Sequence, residues 1–459
     1  MMKKLLQFIT DHAGDDVSRL ILDRKKYPEI DMDLAVNCIE SRRKLKSKVN
    51  QWYDCPQLIF PLKLSAEQCS SSATGLYKAE LAERIADREE WSIADLTGGL
   101  GVDSWFFSKK ASEVIYNEMQ SVLCDAARHN FKELGAENIE IVNSMVTADN
   151  IEDIIGGRQS QPVSLPHHDR KVIDIVYMDP ARRGEGGRKV FLIEDCTPDV
   201  LTLKDKIFEH TRHILIKLSP MADITMVCDR LGSTCREVHV VSTGGECKEL
   251  LIWMDREWSG EYTIIAVELH TDSPASTFSF TPSAEKASIS NSGFGYGIEL
   301  LKALRQNGGV DMPPPARGCL RAEGDETGVN GTICLNAVYL FEPGKSLLKS
   351  GAFNLLATHF EIAKLGKSTH YYITDSEAKA QTLKSYGKVF KIIEIHPLDK
   401  RSIKEIGKKY PKAEVTARNI PMDTDTLRKK TGVTSGDDAH IFGLKSDIDG
   451  NILIAAMRI

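Results

Sequence analysis

Apolar residues recur at helical spacing at Leu5, Phe8 and Ile9 and again at Leu34, Ala35, Cys38 and Ile39, and the pattern holds until Cys55-Pro56. Residues 1–90 therefore read as a helical region. From Trp91 the texture changes to short β-branched runs at 92–96, 114–118, 139–143, 172–178 and 213–218, separated by helical segments. Such alternation predicts a parallel α/β sheet. The next two runs, 237–242 and 249–254, are joined by Thr243-Gly244-Gly245-Glu246-Cys247-Lys248, too short for a helical crossover, and are predicted to pair as an antiparallel hairpin. Five parallel-type strands closed by a hairpin make seven, a departure from the six-strand dinucleotide fold.

After Trp258 the chain is strand-like at 262–269 and 276–280, helical at 298–306, and loop-rich around Pro313-Pro314-Pro315. A small α+β module fits this stretch. From Val338 the pattern predicts a helix over 344–365, a strand at 369–373 and a closing hairpin of 440–444 and 451–457 around Asp447-Ile448-Asp449-Gly450. The expected domains are 1–90 helical, 91–258 α/β, 259–335 small α+β, and 336–459 a C-terminal α+β domain.

At 459 residues, 42% hydrophobic and 27% charged, the chain is too long for one core and ordinary in composition, which excludes collagenous, disulfide-scaffold and disordered classes. Ten cysteines without a CxxC pair fit reduced thiols and a cytoplasmic location. No run of about 18 apolar residues occurs, so neither a membrane span nor membrane association is expected. No metal is expected. The formal charge of −6 hides an asymmetry: residues 379–430 hold 14 basic and 6 acidic side chains. That excess, with the basic run Arg42, Arg43, Lys44, Lys46 and Lys48, keeps a polyanionic partner in view.

The strongest local signal is Asp95-Leu96-Thr97-Gly98-Gly99-Leu100-Gly101-Val102-Asp103, set between the first strand and a helix. Its glycines allow close backbone approach, and amides at the helix start suit an anionic group. Glu118 ends the second strand 20 residues after Gly98, the register of a carboxylate that takes both hydroxyls of a ribose. Asn143, with Ser144, ends the third strand, where it could meet an adenine edge. The fourth strand ends Asp179-Pro180-Ala181-Arg182-Arg183. There a carboxylate and a rigid carbonyl could act as adjacent acceptors for an exocyclic amine. Seven strands closed by a hairpin point to a nucleoside-methyl-donor fold; carbon methylation of a pyrimidine would then need a thiolate, and no Cys directly follows Pro180, Cys196 lying well beyond the motif, so a nitrogen target is expected.

These motifs resemble class I S-adenosylmethionine-dependent methyltransferases, in the bacterial group with a C-terminal THUMP-like domain; the Asp95–Asp103 segment also resembles that of 16S rRNA guanine-N2 methyltransferases. The resemblance implies a seven-stranded Rossmann-like methyltransferase sheet at 91–258 and S-adenosylmethionine as cofactor. It places Asp95, Thr97, Gly98, Gly99, Gly101 and Asp103 around the methionine part, Glu118 and Met119 at ribose and adenine, Asn143 and Ser144 near the adenine amine, and Asp179 and Pro180 at the transferred methyl. Ala181 and Arg182 depart from the Asp-Pro-Met-Phe-Pro of the ribosomal group, so the same base does not follow. The polar segment Ser65 to Ala79 resembles one that precedes the cofactor fold in RNA methyltransferases. Val338-Tyr339-Leu340-Phe341-Glu342-Pro343 and Leu427-Arg428-Lys429-Lys430 resemble the THUMP-like domain, and 260–335 resembles the ferredoxin-like insert of Bacteroidetes members.

The expected function is methylation of a nitrogen in rRNA or tRNA, with Arg182, Arg183, Arg428, Lys429 and Lys430 contacting the RNA. A small-molecule or protein methyltransferase, and a non-catalytic RNA-binding protein retaining the fold, stand as alternatives.

Overall fold

In the computed structural model of the chain, Asp16, Asp31 and Ser71 each place a side-chain oxygen on an orphan backbone N–H, and a helix begins after each. The described residues are 2–155, 173–182, 193–288, 337–447 and 450–459. They fall into two units, Met1–Thr243 with Lys248–Thr263 and Thr271–Ser273, and Gly244–Cys247 with Ile264–His270 and Pro274–Ile459.

The first unit opens with α1 (Met2–Asp11), α2 (Val17–Leu22), α3 (Met32–Lys48), α4 (Asn50–Tyr53), α5 (Lys63–Gln68) and α6 (Ser72–Ala86). Trp52 is fully buried between Phe60 and Trp105, ring centroids 6.1 and 5.9 Å away. The helical region thus shares its core with the α/β region. Strands β1 (Ser92–Asp95), β2 (Glu113–Asn117), β3 (Ile139–Val142) and β4 (Ile175–Met178) come next. A two-residue ribbon, β5 (Ala181–Arg182) with β6 (Cys196–Thr197), precedes β7 (His213–Leu218), β8 (Cys235–Thr243) and β9 (Glu246–Asp255). Helices α7 (Val102–Ser108), α8 (Ser121–Glu133), α9 (Ile151–Ile155), α10 (Val200–Phe208) and α11 (Ile224–Leu231) alternate with them.

Within this unit the strands run in the order β8-β9-β7-β4-β1-β2-β3. β3, β2, β1, β4 and β7 pair in parallel, and β9 runs antiparallel to β7. Strands β1 and β4 are buried along their whole length, as expected of a sheet covered on both faces. The chain moves outward through β1, β2 and β3, then returns to lay β4 on the other side of β1. That reversal opens a crevice at the C-terminal strand ends. The hairpin expected at 237–254 is present and longer at each end.

In the second unit β10 (Thr263–Leu269) and β11 (Ser276–Phe280) pair antiparallel. A seven-stranded sheet comes after them, in the order β13-β14-β12-β15-β18-β17-β16. Its strands are β12 (Tyr339–Pro343), β13 (Ala363–Lys364), β14 (Tyr372–Thr374), β15 (Gly387–Pro397), β16 (Lys412–Arg418), β17 (Thr434–Ser446) and β18 (Gly450–Arg458). One expectation is corrected. Instead of a single helix over 344–365 there are two short ones, Lys345–Ser350 and Leu355–Phe360. Gly351 at φ +86° supplies the left-handed turn that ends the first, and Glu285 accepts from Asn354 and Leu355 N–H at 2.7 and 2.8 Å to start the second. The helix expected at 298–306 and Pro313–Pro315 lie outside the described residues.

Candidate functional site

The turn after β1 is built on a buried acid. Asp95 is 1% exposed; its Oδ1 accepts from Thr97 N–H at 3.0 Å and its Oδ2 from Ser104 Oγ at 2.5 Å. Burial pushes its carboxyl up to about 7 despite these donors. The glycines that follow are required by contact. A Cβ at Gly98 would lie 2.2 Å from the Tyr116 ring, and at Gly101, where φ is +91°, 2.7 Å from Phe131. Tyr116 O–H also donates to Gly99 O at 2.6 Å, so the turn lies flat on that ring.

Glu118 completes the frame. Its two oxygens accept from Gly99 N–H at 3.0 Å and Gln120 N–H at 2.8 Å, which fixes the carboxylate beside the glycine turn. Asn117, fully buried, donates through Nδ2 to Leu96 O and Ser144 O at 3.2 and 3.1 Å, tying together the ends of three strands. Asn143 Nδ2 donates to Glu118 O and Met119 O at 2.7 and 3.2 Å.

These residues enclose a cavity of about 500 Å³, within the roughly 300–1,000 Å³ usual for small-molecule sites. Asp95, Thr97, Gly98, Gly99, Gly101, Asp103, Glu118, Met119, Ser144 and Asp179 all line it. Asn143 and Pro180 do not; Asn143 braces the turn after β2 and Pro180 is buried behind the wall. Ser65, Gln68, Cys69 and Ser70, from the polar segment ahead of the sheet, are part of the wall, as are Thr197 to Asp199, Thr202 and Leu203. Arg182 lies in β5, and Arg183 is outside the described residues. Met119 and Met145 are 58% and 55% exposed at the rim, apolar surface of the kind that can cover a flat ring. A nucleoside fits this set: a carboxylate for ribose hydroxyls, a glycine turn with no room for a side chain, and exposed thioethers. Among the described residues no group of His, Cys, Asp and Glu could hold a metal ion.

Behind the wall lies a network that sequence reading missed. Lys78 on α6 is fully buried, with Nζ donating to Glu249 Oε1 and Oε2 at 2.9 and 3.1 Å and to Ser70 Oγ at 2.9 Å, and 3.3 Å from Asp103 Oδ1. Asp103 Oδ2 accepts from Ser70 Oγ at 3.0 Å and Tyr177 O–H at 2.8 Å. Burial acts to raise the Asp103 carboxyl, but Lys78, Lys217 and these hydroxyls outweigh it and hold it below the usual range. Glu249 goes the other way, raised because burial prevails over Lys78 and Lys217. Lys217 Nζ is 2.5 Å from Asp179 Oδ2. Burial opposes its charge, yet Asp179, Asp103 and Glu249 raise its pKa above the ordinary value. Both lysines left a mark in the sequence. Lys217 interrupts the apolar run Ile214-Leu215-Ile216, and Lys78 shares the buried face of α6 with Gly75, Ala79 and Ala82.

In the second unit the helices Lys400–Lys409 and Thr424–Thr431 approach so closely that a Cβ at Gly407 would lie 2.0 Å from Thr431 O. Lys400, Arg401, Lys404, Lys408, Lys409, Lys429 and Lys430 are exposed around them. Arg428 is half-buried and paired with Glu414 at 3.1 Å, so it is partly engaged within the fold.

Residues 339–380 match a ferredoxin-like domain family and residues 387–458 a THUMP domain-like family. The ferredoxin-like match falls downstream of 259–335, and its β12 pairs directly with β15 of the THUMP-like stretch in one sheet. Among solved structures, a "putative methyltransferase" from Porphyromonas gingivalis W83 is 25% identical and aligns over 100% of this chain and 98% of its own, with a TM-score of 0.75. An rRNA methylase from Streptococcus thermophilus is 14% identical over 39% of this chain and 93% of its own, with a TM-score of 0.27. An M. capricolum protein in complex with S-adenosyl-homocysteine is 11% identical over 43% and 71%, with a TM-score of 0.27. No curated protein matches the sequence. The chain therefore has the Rossmann-like methyltransferase fold together with ferredoxin-like and THUMP-like domains.

Proposed function

We propose that the protein is an S-adenosylmethionine-dependent methyltransferase that acts on RNA. The observation that carries the donor half is the seat of Glu118 over the Gly98–Gly101 turn in one cavity with Asp179. S-adenosylmethionine, when bound, supplies an electrophilic methyl on a sulfonium. Glu118 would hold the ribose hydroxyls and Met119 would cover the adenine. Asp103, below the usual carboxylate range, would attract the cationic amino-acid end. Asp179, 39% exposed in the cavity wall, would face the acceptor. No covalent nucleophile of the protein is needed, because the transfer is a direct displacement and the chain's task is to position the partners.

The RNA half rests on the THUMP-like stretch and on the basic surface of its two helices. Lysines of that kind bind phosphates without choosing a base. The expected nitrogen target stood on Asp179 and Pro180 as paired acceptors. Pro180 lies outside the cavity wall, which weakens that pairing. Calorimetric titration with S-adenosylhomocysteine and with NAD tests the donor; binding of NAD alone would refute it. Mass spectrometry of nucleosides from rRNA and tRNA of a deletion strain tests the substrate, with loss of one methylated nucleoside expected.

A further inference from the structure

Asp179 and Lys217 are neighbours by register. β4 pairs with β7 so that Met178 faces Ile216, which makes Asp179 and Lys217 the next pair at the sheet's C-terminal edge. Lys217 faces Leu251 on β9, and Glu249, two residues along, shares its face of the sheet. Glu249 in turn holds Lys78, and Lys78 approaches Asp103. This network brings two ammonium groups and three carboxylates to one cavity whose wall also carries Asp95 and Glu118, and the carboxylate nearest the solvent, Asp179, is the one that Lys217 grips at 2.5 Å.

This arrangement matters for the atom that receives a methyl group. An amine gains positive charge as its new bond forms, so a cation close by opposes the reaction. A hydroxyl is a poor nucleophile until its proton leaves, and the oxygen then carries negative charge that a cation stabilises. A carboxylate backed by an ammonium therefore suits an oxygen acceptor. Within an RNA strand the hydroxyl on offer is the ribose 2′-OH.

Resting on the reading of the donor and of RNA as substrate, we infer that the acceptor is a ribose 2′-hydroxyl rather than a base nitrogen, with Asp179 as the proton acceptor and Lys217 as the residue that positions it. The substrate oxygen forms the new C–O bond as the sulfonium C–S bond breaks, and the electrons of that bond return to sulfur. The hydroxyl proton passes to the Asp179 carboxylate and from there to water. Lys217 stays an ammonium throughout.

The test uses the purified full chain, RNA from a deletion strain and methyl-labelled S-adenosylmethionine, followed by alkaline digestion. Alkali cleaves RNA through the free 2′-hydroxyl, so a 2′-O-methyl group survives in alkali-resistant dinucleotides. Label in those dinucleotides is the expected result. Label in mononucleotides would assign a base atom and sink the hydroxyl inference while leaving the methyl-donor reading intact. Tight S-adenosylhomocysteine binding with no label in RNA would remove the RNA reading and this inference with it. For Lys217, Lys217→Met should keep S-adenosylhomocysteine affinity within about threefold and lose about 10²-fold or more in turnover. Lys217→Arg, which keeps the charge, should recover most of the rate. An unchanged rate in Lys217→Met would take Lys217 out of the mechanism. The digestion of wild-type product needs no variant, so it decides the acceptor atom even where Lys217→Met folds poorly.

Discussion

Replacing Lys78 with Met should cost the first unit about 3–5 kcal/mol, the range for stranding one partner of a buried ion pair. The size comes from the groups left behind. Glu249 is 3% exposed and loses donors at 2.9 and 3.1 Å, and Asp103 loses a cation at 3.3 Å. Because Met fills the space of the lysine stem, little of the loss comes from a cavity. Removing the acid as well, in Lys78→Met with Glu249→Leu, should bring the cost down to about 1–2 kcal/mol, since paired buried charges are often replaceable by apolar groups. The sign with pH is also fixed. Burial already raises the Glu249 carboxyl, and without Lys78 it rises further. The folded state of Lys78→Met then binds a proton that the unfolded state has released, so its deficit should be smaller near pH 5 than near pH 8. Urea unfolding followed by tryptophan fluorescence measures this cleanly, because Trp52, Trp91, Trp105, Trp253 and Trp258 all lie in the first unit. A single-variant cost below about 1 kcal/mol, or a double variant as unstable as the sum of its parts, would refute the reasoning.

Asp95→Asn should gain on the wild type as pH rises. A carboxyl raised to about 7 in the folded state destabilises progressively between its ordinary value of about 4 and about 7, worth on the order of 4 kcal/mol at pH 8; parallel melting of both proteins at pH 5 and pH 8 checks this, and a constant difference would contradict it. Gly98→Ala drives a methyl into Tyr116 and should weaken S-adenosylhomocysteine at least tenfold at a stability cost of about 1–3 kcal/mol, and unchanged calorimetric affinity would argue that the turn does not face the ligand. Lys429→Glu with Lys430→Glu should flatten the salt dependence of RNA binding by about one unit of slope per lost phosphate contact. Arg428 is left in place because a Glu there would stand beside Glu414.

The sheet was readable because most of its strands are short apolar runs, and the crevice because Glu118 and Asp179 sit at strand ends and Asp95 opens a glycine-rich turn. Glu118 and Asp179 were expected there from their strand-end positions, and Asp95 from the resemblance of its segment. What spacing could not give was pairing across the fold. Lys78 and Glu249 are separated by 171 residues, and only the covered helix face and the antiparallel β9 bring them together. Asn143 looked like a ligand contact because of its strand-end position. Its Nδ2 is spent on the carbonyls of Glu118 and Met119, a local choice that no periodicity reports. The helix expected over 344–365 failed for a similar reason: helical spacing continues across Gly351, but the backbone there turns left-handed.

The Asn117 bridge divides the cavity wall into parts with different freedom to change. The residues after β1, β2 and β3 are bound to one another through that amide, through Glu118 on Gly99 N–H and through Asn143 on the carbonyls of Glu118 and Met119, so a substitution in any of these turns is felt in the other two. Other lengths of the wall are anchored locally. Lys48 donates to the backbone carbonyls of Ala66, Glu67 and Cys69 to hold the first, and Asp199 caps its own helix to hold the second. Such a wall can exchange Ser65 to Cys69 or Thr197 to Leu203 and so accept a new partner, while the turns after β1, β2 and β3 and the buried Ser70 hold one another in place.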